Sequence, residues 1–427
     1  MLQAALHSGA ASRRCIFEVF ARRLPEGRRY GVVAGTGRLL QAVLDFRFDD
    51  AELEWLRDHH VVDSVTLDFL SSYRFTGNIT GYAEGECFFP MSPLLTVEGT
   101  FAEAVVLETM LLSILNHDSA IASAGSRMTN AAGDRPCIEM GSRRTHEWAA
   151  VAAARAAYVA GFATTSNLEA GRTHGVPTKG TSAHSFTLLH DDERAAFEAQ
   201  VASLGVGTTL LVDTYDVTAA VNLAVEVAGV GLGAVRLDSG DLLVQAREVR
   251  SQLDALGAHN TRIVVTSDLD EHSIAALAAA PVNAYGVGTA LVTGSGAPTA
   301  GLVYKLVARE DETGQLIDVA KASKDKISVG GRKWAMRRLD AGGVAEAEVI
   351  GIGTMPANDG GPSLNAPSPN ARPLLVELMR AGEIVADLSL EAARRRHELS
   401  RAELPPRALM LSRGEPAITT IFDDRQR

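Results

Sequence analysis

The feature that most constrains the fold is a repeated alternation of a short β-rich run, a polar turn and a helical segment between about residues 135 and 290. This alternation is typical of parallel βα units, because two parallel strands need a crossover connection that is usually a helix. Seven such runs at intervals of roughly 20 to 30 residues predict a (β/α) barrel. The predicted strands are residues 137–140, 162–165, 182–186, 208–215, 234–237, 262–266 and 283–287.

The segment before this core predicts a separate layer of structure. Residues 16–20, 31–34 and 87–89 have the composition of strands. Residues 101–128 are typical of one long, mostly apolar helix. Because none of these elements belongs to the βα alternation, we expect them to form a layer outside the barrel.

The segment after the core predicts a β-hairpin and a loop. Residues 303–309 and 315–321 form a hairpin-like pair with a turn at residues 311–314, and the Gly- and Pro-rich residues 358–373 are typical of a loop or linker. Five of the six lysines fall in this part of the chain, which by itself indicates a solvated surface hairpin. These five are Lys305, Lys321, Lys324, Lys326 and Lys333.

Composition excludes several classes of protein. A hydrophobic content of 46% over 427 residues is enough to bury an extensive core, and the formal net charge of −11 argues against a nucleic-acid or membrane-surface binder. Cys15, Cys87 and Cys137 lack the spacing of a disulfide framework or a Cys-x-x-Cys metal site, so we expect a cytoplasmic location. No apolar run reaches about 18 residues and no secretory signal is visible, so no membrane span is expected.

Polar residues occupy the carboxyl end of nearly every predicted strand. In a (β/α) barrel these ends converge on one face, which is where the active site forms. Ordinary surface loops are polar too, but a mixture of Arg, His and acidic residues at equivalent positions favours a site. The tips are residues 139–144, 164–167, 213–216, 236–241 and 267–268, with His184 in the third predicted strand.

The last predicted strand ends in a glycine-rich turn that contains Gly286, Gly288 and Thr289. Glycines let backbone N–H groups approach phosphate oxygens, and barrel phosphate sites commonly use the loops after strands seven and eight. A short Gly-x-Gly is weak evidence by itself. Its location at this strand end nevertheless predicts a binding site for a 5′-phosphate.

Three further sets of residues admit both a functional and a structural interpretation. Arg236 with Asp238 and Asp241 could bind ribose hydroxyls or a Mg²⁺-bound pyrophosphate, but one of the acids could simply cap the next helix. A lone histidine such as His184 is more often a structural hydrogen-bonding group than a catalyst. Arg143 and its neighbour offer a guanidinium fork for a planar carboxylate, or a surface ion pair.

The sequence resembles the nicotinate phosphoribosyltransferases from its first residues to about residue 340. The resemblance rests on blocks that follow one another in the family's order. These blocks are FEVFARRLPEGRRYGVVAGTGRLL, FTGNITGYAEGE, LETMLLSILNHDSAIAS, IEMGSRRTHEWAAVAAARAAYVAGFATTSNLEAG, HGVPTKGTSAHSF, LLVDTYDV, RLDSGDL and YGVGTALVTG.

The resemblance implies transfer of phosphoribose from phosphoribosyl pyrophosphate to nicotinate, with release of nicotinate mononucleotide and pyrophosphate in NAD salvage. It implies coupling to ATP hydrolysis through a phosphorylated histidine, His184, and Mg²⁺ held by the substrate pyrophosphate with Asp238 or Asp241. Arg236 and Asp238 are implied as catalytic residues. The implied nicotinate-binding residues are Arg143, Ser142 and Ser185. The implied phosphoribosyl pyrophosphate-binding residues are Ser166, Asn167, Arg236, Asp238, Ser267, Gly286, Gly288 and Thr289.

The resemblance also implies an architecture and an assembly. The fold class is α/β, an irregular TIM-like (β/α) barrel with a smaller α/β sandwich domain built from the N-terminal part and the C-terminal segment. We expect the sandwich layer over residues 1–130, the barrel with the active site over 131–300, and a hairpin, lysine-rich loop and returning segment over 301–427. The implied assembly is a homodimer with a shared active site.

Two departures from the family pattern affect the expected activity. Related chains carry an upstream Tyr-x-x-Thr-Met motif whose aromatic residue, from the partner subunit, stacks on the pyridine ring, and Met1 aligns with the end of that motif. Relatives also have Pro-Gly after the lysine cluster, where this chain has Val329 and Gly330. Two alternatives therefore stay open: a nicotinamide or quinolinate phosphoribosyltransferase, and a catalytically impaired ligand-binding relative.

Overall fold

The structure is a computed structural model that describes residues 1–321, 329–355 and 370–423. The chain divides into two compact units. Unit 1 is discontinuous and consists of Met1–Ser123 with Thr299–Arg427, whereas unit 2 is the continuous segment Ala124–Pro298. Among the described residues, no helix combines the length and the hydropathy that crossing a membrane requires.

The strands of the described residues belong to four sheets. In chain order they are β1 Arg14–Ala21, β2 Gly31–Val32, β3 Asn78–Tyr82, β4 Cys87–Phe88, β5 Leu95–Thr100, β6 Cys137–Glu139, β7 Thr164–Thr165, β8 Thr209–Leu211, β9 Ala234–Leu237, β10 Arg262–Val265, β11 Ala284–Val287, β12 Leu302–Glu310, β13 Leu316–Asp318, β14 Lys333–Leu339, β15 Ala345–Ile352, β16 Ala371–Pro373, β17 Leu375–Arg380, β18 Glu383–Ile384 and β19 Thr419–Phe422.

The helices follow side-chain capping signals at most of their starts; for example, the Asp192 side chain accepts a hydrogen bond from the third residue of its helix. In chain order they are α1 Leu2–Ser8, α2 Thr36–Asp45, α3 Asp50–Asp58, α4 Ser64–Ser71, α5 Phe101–Val106, α6 Glu108–Ala132, α7 Glu147–Val159, α8 Leu168–His174, α9 His184–Leu189, α10 Glu193–Leu204, α11 Val217–Ala228, α12 Leu242–Ala255, α13 Glu271–Ala276, α14 Thr289–Val292 and α15 Leu390–Ala402.

Unit 2 contains one parallel sheet with the strand order β7-β6-β11-β10-β9-β8. Strands that follow one another along the chain are paired, except for β7 and β8, and the last strand, β11, pairs with the first, β6. Pairing of the last strand with the first curls the sheet. The curl is open between β7 and β8, where an isolated parallel bridge joins Thr165 to Thr178. Six of the seven strands predicted from the sequence are confirmed.

The predicted strand at residues 182–186 is wrong, and a full (β/α) barrel is not confirmed. His184–Leu189 forms a short helix, so the sheet is a curled half-barrel. Buried parallel strands are rich in branched aliphatic side chains on both faces. Ser182, Ala183 and Ser185 supply none, so this segment has nothing to pack on either side of a sheet.

Unit 1 contains an antiparallel sheet of seven strands in the order β13-β12-β1-β5-β3-β17-β18, together with a four-stranded and a two-stranded sheet. The predicted strands at 16–20, 31–34 and 87–89 and the predicted hairpin are confirmed. The helix predicted over 101–128 is interrupted at Leu107, a buried residue that separates α5 from α6. Strands β3 and β5 were not predicted.

The core of unit 1 is built around β1. Every residue of this strand except Arg14 is buried, because β5 and β12 flank it on both sides. The Phe17 ring stacks on the Tyr304 ring of β12 with centroids 4.7 Å apart. The loop predicted at 358–373 lies largely outside the described residues, but its end, Ala371–Pro373, is strand β16, which pairs with β14.

Buried charges join distant parts of unit 1. The Arg337 side chain is fully buried and forms ion pairs with Glu348 at 2.7 Å and with Glu86 at 2.8 Å. Lys333 is also buried and forms an ion pair of 2.9 Å with Glu18. The prediction that the lysine cluster is solvated is therefore wrong for Lys333, because burial of a charge requires a partner of opposite sign. Two of the five lysines, Lys324 and Lys326, lie outside the described residues.

A buried histidine on α15 makes the stability of unit 1 depend on pH. The His397 ring is 1% exposed, and its Nδ1 lies 3.3 Å from the carbonyl oxygen of Gly85. Burial, helped by the charge of Arg401, lowers the pKa of His397 to about 3. Between pH 6.5 and about 3 the unfolded chain therefore binds a proton that the folded chain does not bind. The free energy of unfolding consequently decreases as the pH is lowered through this range.

We predict that replacement of His397 by Leu reduces this pH dependence. Between pH 7 and pH 5 the free energy of unfolding of the wild type should fall by up to about 2 kcal/mol more than that of His397→Leu, because the variant has no group to protonate. Urea unfolding at the two pH values measures the difference. The exposed His59→Leu is a matched control that should keep the wild-type slope. Equal slopes for the wild type and His397→Leu would contradict the prediction.

Candidate active site

The carboxyl ends of the parallel strands of unit 2 surround a cavity of about 210 Å³. Parallel strands all point their carboxyl ends to the same edge, so polar residues that follow different strands meet there. Three arginines and two aspartates contribute to the wall, which gives the cavity an excess of positive charge suited to an anion. The lining residues are Met140, Arg143, Arg144, Arg236, Asp238, Thr266, Ser267, Asp268, Gly286, Gly288 and Thr289.

The glycine-rich turn after β11 forms one wall of this cavity. Gly286 lies within β11, and a Cβ atom at this position would come within 2.4 Å of the Thr266 side chain and 2.8 Å of the Met140 sulfur. Gly288 follows the strand and precedes α14, which begins at Thr289. The absence of a side chain at Gly286 therefore lets three neighbouring strand ends pack closely around the cavity.

Arg236, at the end of β9, has several of its donors engaged by the protein. Its Nε donates to Thr266 at 3.0 Å, one terminal nitrogen donates to Thr181 at 2.7 Å and to the Ser182 carbonyl at 3.1 Å, and the other pairs with Asp238 at 2.9 Å. Burial alone would raise the pKa of the Asp238 carboxyl, but a hydrogen bond from Thr266 and the Arg236 charge bring it below its usual value. Asp238 is therefore ionised at neutral pH.

His184 is the first residue of α9 and faces two carboxylates. Its Nε2 lies 3.8 Å from Asp213 and 3.7 Å from Asp238, and its Nδ1 lies 3.2 Å from the Thr214 hydroxyl. One Asp213 oxygen accepts from the Asp238 N–H and the Ser239 hydroxyl. The other is buried without a hydrogen-bond partner among the described residues, and it is the oxygen nearest to His184. The imidazole thus has polar groups on both nitrogens.

The turn after β6 presents two arginines. Ser142–Arg144 forms one turn of 3₁₀ helix, and the side chains of Arg143 and Arg144 are exposed. Neither guanidinium forms an ion pair within the described ranges, so both keep their donors for a ligand. The Ser142 hydroxyl accepts a hydrogen bond of 2.9 Å from the side-chain amide of Asn167, which joins this turn to the turn after β7.

Glu139, the last residue of β6, connects the same two turns through hydrogen bonds to its carboxylate. Its carboxylate accepts hydrogen bonds from the Gly141 N–H and from the Thr165 hydroxyl. The Thr165 oxygen in turn accepts from the Asn167 N–H at 2.9 Å, and the Glu139 carbonyl accepts from the Ser166 N–H at 2.8 Å. Burial raises the pKa of Glu139, although the hydrogen bonds to its carboxylate oppose the shift.

The structure places the residues predicted from the sequence in three groups. Those that line the cavity are Arg143, Arg236, Asp238, Ser267, Gly286, Gly288 and Thr289. His184 does not line the cavity but lies 3.7 Å from Asp238, which does. Ser142, Ser166 and Asn167 belong to the connected turns after β6 and β7. Ser185 is exposed on α9 and does not line the cavity, and Asp241 caps α12 by accepting from the Val244 N–H at 3.2 Å.

Several residues of the site were not predicted. Asp213 and Thr214 lie at a strand end that the sequence marked as polar, and Glu139 is the first residue of the predicted polar tip 139–144, so position was an available signal for these three. Thr181 and Thr266 carried no signal, because a threonine hydroxyl becomes a site group only through the neighbour that the fold supplies. Ser267 was predicted, but its φ of 120° was not; a non-glycine residue held in this region costs about 1–3 kcal/mol.

A curled parallel sheet with a cationic cavity at its carboxyl edge is the architecture of a barrel-type enzyme that acts on an anionic substrate. Comparison with known proteins makes the assignment specific. The family model for the nicotinate phosphoribosyltransferase (NAPRTase) N-terminal domain matches residues 1–116. Over 428 aligned residues the chain is 58% identical to nicotinate phosphoribosyltransferase pncB1 of Mycobacterium tuberculosis (strain ATCC 25618 / H37Rv), with 98% of this chain and 92% of that protein covered.

Solved structures agree with the sequence comparison. The crystal structure of human nicotinic acid phosphoribosyltransferase superposes with a TM-score of 0.83 at 27% identity and covers 100% of this chain and 96% of the human chain. Nicotinate-nucleotide pyrophosphorylase from Pyrococcus furiosus gives a TM-score of 0.74 at 25% identity, with coverages of 94% and 92%. This chain belongs to the nicotinate phosphoribosyltransferase family.

We predict that Gly286→Ala destabilises the protein. The added methyl group must displace Thr266 or Met140, and overpacking of this kind lowers the free energy of unfolding by about 1–3 kcal/mol. Chemical denaturation of both proteins measures the change. Gly180→Ala is the matched control, because a Cβ at Gly180 meets no atom within 4 Å. Wild-type stability of Gly286→Ala would show that the three strand ends have room to move apart.

Proposed function

We propose that the cavity of unit 2 is where this chain transfers phosphoribose from phosphoribosyl pyrophosphate to the ring nitrogen of nicotinate, which yields nicotinate mononucleotide and pyrophosphate in NAD salvage. The observation that carries the proposal is a cavity lined by Arg143, Arg144 and Arg236 in a chain that is 58% identical to a nicotinate phosphoribosyltransferase. The relatives do not favour nicotinamide or quinolinate as the acceptor, nor a catalytically impaired binding protein.

The nicotinate carboxylate is assigned to the turn after β6. Arg143 is exposed at the cavity and has no ion pair with a described residue, so its fork is available for two parallel hydrogen bonds to a planar carboxylate. Ser142 lies in the same turn, and Ser185 is assigned to the base by resemblance alone. A neutral carboxamide offers no negative charge to Arg143, which supports a preference for the acid.

Phosphoribosyl pyrophosphate is assigned to the rest of the cavity. The 5′-phosphate fits the turn of Gly286, Gly288 and Thr289, and the pyrophosphate faces Arg236 and the strand end of Ser267. Ser166 and Asn167 extend this set from the turn after β7. As the nicotinate nitrogen forms its bond to the ribose carbon, the bond to pyrophosphate breaks and positive charge builds on that carbon. The ionised Asp238 carboxylate can stabilise this charge.

Magnesium is proposed as an ion carried by the substrate. Among the described residues no group of three or more His, Cys, Asp or Glu side chains could hold a metal ion. Mg²⁺ commonly binds through one or two carboxylates together with substrate phosphates, and when bound it neutralises charge on the pyrophosphate. Asp238 lines the cavity and fits this role, whereas Asp241 caps α12 and does not line it.

ATP coupling is proposed to pass through His184. An imidazole nitrogen attacks the terminal phosphorus of ATP, the bond to ADP breaks, and the phosphohistidine later loses its phosphoryl group to water. Asp213 supports this role, because its buried oxygen with no hydrogen-bond partner among the described residues lies 3.8 Å from Nε2 and places a carboxylate charge beside the ring. Thr214 contacts the other ring nitrogen. His184 and Asp238 are neighbours, so the phosphohistidine would form beside the pyrophosphate site.

A homodimer and a cytoplasmic location complete the proposal. Large apolar side chains are exposed on the helices that follow β6 and β7, among them Trp148 of α7 at 71%, Leu168 of α8 at 75% and Leu189 of α9 at 78%. A second copy of the chain that covered them would also complete the site. The three cysteines are free and buried, which suits a reducing compartment.

The test of the proposed function is product formation by the purified chain. The protein is incubated with nicotinate, phosphoribosyl pyrophosphate, Mg²⁺ and ATP, and nicotinate mononucleotide is followed by chromatography. Parallel reactions replace nicotinate with nicotinamide or quinolinate. We expect product with nicotinate and none with nicotinamide or quinolinate. Absence of product with all three acceptors would refute the proposal.

We predict that Arg143→Ala weakens binding of nicotinate by roughly 2 kcal/mol, about 30-fold in affinity, because a charge-assisted hydrogen-bonded pair is lost. Calorimetric titration with nicotinate and with nicotinamide measures the effect. Affinity for nicotinamide should change little, since the amide carries no charge for Arg143 to bind. Arg144→Ala is the comparison variant. If Arg144→Ala alone weakened nicotinate binding, the carboxylate would belong to the neighbouring side chain.

We predict that His184→Ala abolishes ATP hydrolysis and labelling of the protein, yet retains slow synthesis of nicotinate mononucleotide at high phosphoribosyl pyrophosphate. The ring nitrogen of nicotinate attacks through a lone pair and has no proton to lose, so the transfer step needs no general base. Incubation with γ-labelled ATP and assays with and without ATP separate the two activities. His190→Ala, on the same segment, is the control. Label on His184→Ala would move the phosphoryl acceptor to another residue.

A further inference from the structure

Glu139 is a fully buried carboxylate in unit 2 that the proposed chemistry does not use. Its exposure is 0%, and it forms no ion pair within the described residues. Desolvation of an isolated carboxylate is unfavourable, and burial raises the pKa of this group accordingly. The two oxygens of this group are hydrogen-bond acceptors at the end of β6, which an apolar side chain could not supply.

One carboxylate oxygen binds a turn of the site directly, and the other reaches a second turn through Thr165, the last residue of β7. One oxygen accepts the Gly141 N–H, at the start of the turn that carries Ser142 and Arg143. The other accepts the Thr165 hydroxyl, whose oxygen accepts the Asn167 N–H at 2.9 Å. Glu139 therefore sets the positions of both turns relative to β6. A hydrogen bond of 2.9 Å from the Asn167 side chain to the Ser142 hydroxyl joins the two turns directly.

A third turn is held through Gly141. A Cβ atom on Gly141 would lie 3.1 Å from the Glu139 carboxylate, 3.1 Å from the Gly288 carbonyl oxygen and 2.3 Å from Val292. Gly141 is therefore packed between Glu139 and the glycine-rich turn after β11. Any movement of the Gly141 backbone away from Glu139 changes its contact with Gly288.

We infer that Glu139 is a positioning residue that holds the nicotinate turn and the phosphoribosyl pyrophosphate turn in register with each other. The inference rests on the proposed function, because that function assigns a substrate to each turn. Glu139 lies beneath both turns and is fully buried, so it acts through Gly141 and Thr165 rather than on a substrate. Loss of its two acceptors lets the turns after β6 and β7 shift independently, and affinity for both substrates falls.

The ATP side of the site is held by a different carboxylate. His184 faces Asp213 and Asp238, which follow β8 and β9, and Asp213 accepts hydrogen bonds from the backbone of Asp238 and the side chain of Ser239. In the sheet order β7-β6-β11-β10-β9-β8, this group lies away from Glu139. A change at Glu139 should therefore spare the phosphorylation of His184, which separates a positioning role from general loss of structure.

The first experiment compares Glu139→Gln with the wild type. The amide of Gln keeps one acceptor for Gly141 but turns a donor toward Thr165, so KM for nicotinate and KM for phosphoribosyl pyrophosphate should each rise roughly tenfold with a smaller change in kcat. Labelling by γ-labelled ATP should stay at the wild-type level. Glu139→Ala, which loses both acceptors, should show a larger rise, about a hundredfold if the variant folds.

Glu271→Gln is the matched control. Glu271, on α13, is also buried in unit 2. It pairs with Arg127 at 3.0 Å and accepts a hydrogen bond of 2.6 Å from the Ser295 hydroxyl, and both of these partners lie outside the turns after β6 and β7. The control should lose stability in thermal unfolding while it keeps the wild-type KM for both substrates. If Glu139→Gln behaved like this control, with lower stability and unchanged KM values, Glu139 would be structural only and the inference would be overturned.

Thr165→Val tests the path to one turn alone. Valine has nearly the shape of threonine but lacks the hydroxyl that donates a hydrogen bond to Glu139 and accepts one from the Asn167 N–H. KM for phosphoribosyl pyrophosphate should rise roughly tenfold, whereas KM for nicotinate should rise less, because the bond from Gly141 to Glu139 remains. Equal rises for the two substrates would show that the turns move as one body, which would overturn the assignment of one oxygen to each turn.

The outcomes also separate this inference from the proposed function. A wild-type chain that makes no nicotinate mononucleotide refutes the proposed function and leaves Glu139 without a role in it. A wild-type chain that is active, with Glu139 variants that keep both KM values, refutes the inference alone. Loss of His184 labelling in Glu139→Gln, in parallel with the loss of substrate affinity, would also refute it, since the defect would then extend over the whole site.

Discussion

The candidate active site depends on the parallel direction of the six strands of unit 2. Because every strand runs the same way, all carboxyl ends lie on one edge, and the pairing of β11 with β6 bends that edge around a single cavity. The sheet leaves one interval open, between β7 and β8. Three helices, α8, α9 and α10, occupy the sequence between these two strands, and His184 is the first residue of α9. The histidine therefore comes from the part of the chain that leaves the sheet open.

Two buried carboxylates organise the loops on this edge. Glu139 accepts an N–H donor from the turn after β6 and a hydroxyl donor from the last residue of β7, and Asp213 accepts donors from the turn after β9. The turns at strand ends contain backbone N–H groups that have left the sheet and need an acceptor. A carboxylate supplies two oxygens without a donor of its own, which suits it to this task better than an amide or a hydroxyl.

Unit 1 uses buried charge for a different purpose. Lys333 and Glu18 are 315 positions apart in the chain, and their ion pair joins strand β1 to the first residue of strand β14. Arg337 connects β14 to Glu86 and Glu348 in the same way. Removal of one member of such a group leaves the other as an uncompensated buried charge. These contacts, with the pairing of β1 and β12, explain why the two ends of the chain form one compact unit.

The sequence by itself determined the parallel βα alternation, all six strands of unit 2 and the position of the candidate site at their carboxyl ends, because hydrophobic period and turn residues are local properties of the chain. The family also followed from local motifs. Only the tertiary structure decided that residues 184–189 form a helix and that the barrel stays open, since a strand there needs partners on both sides that the segment cannot pack against. It also decided which residues meet. Asp213 beside His184, Thr266 beside Asp238 and Glu139 beneath two turns are pairings across strands, and no spacing along the chain encodes them.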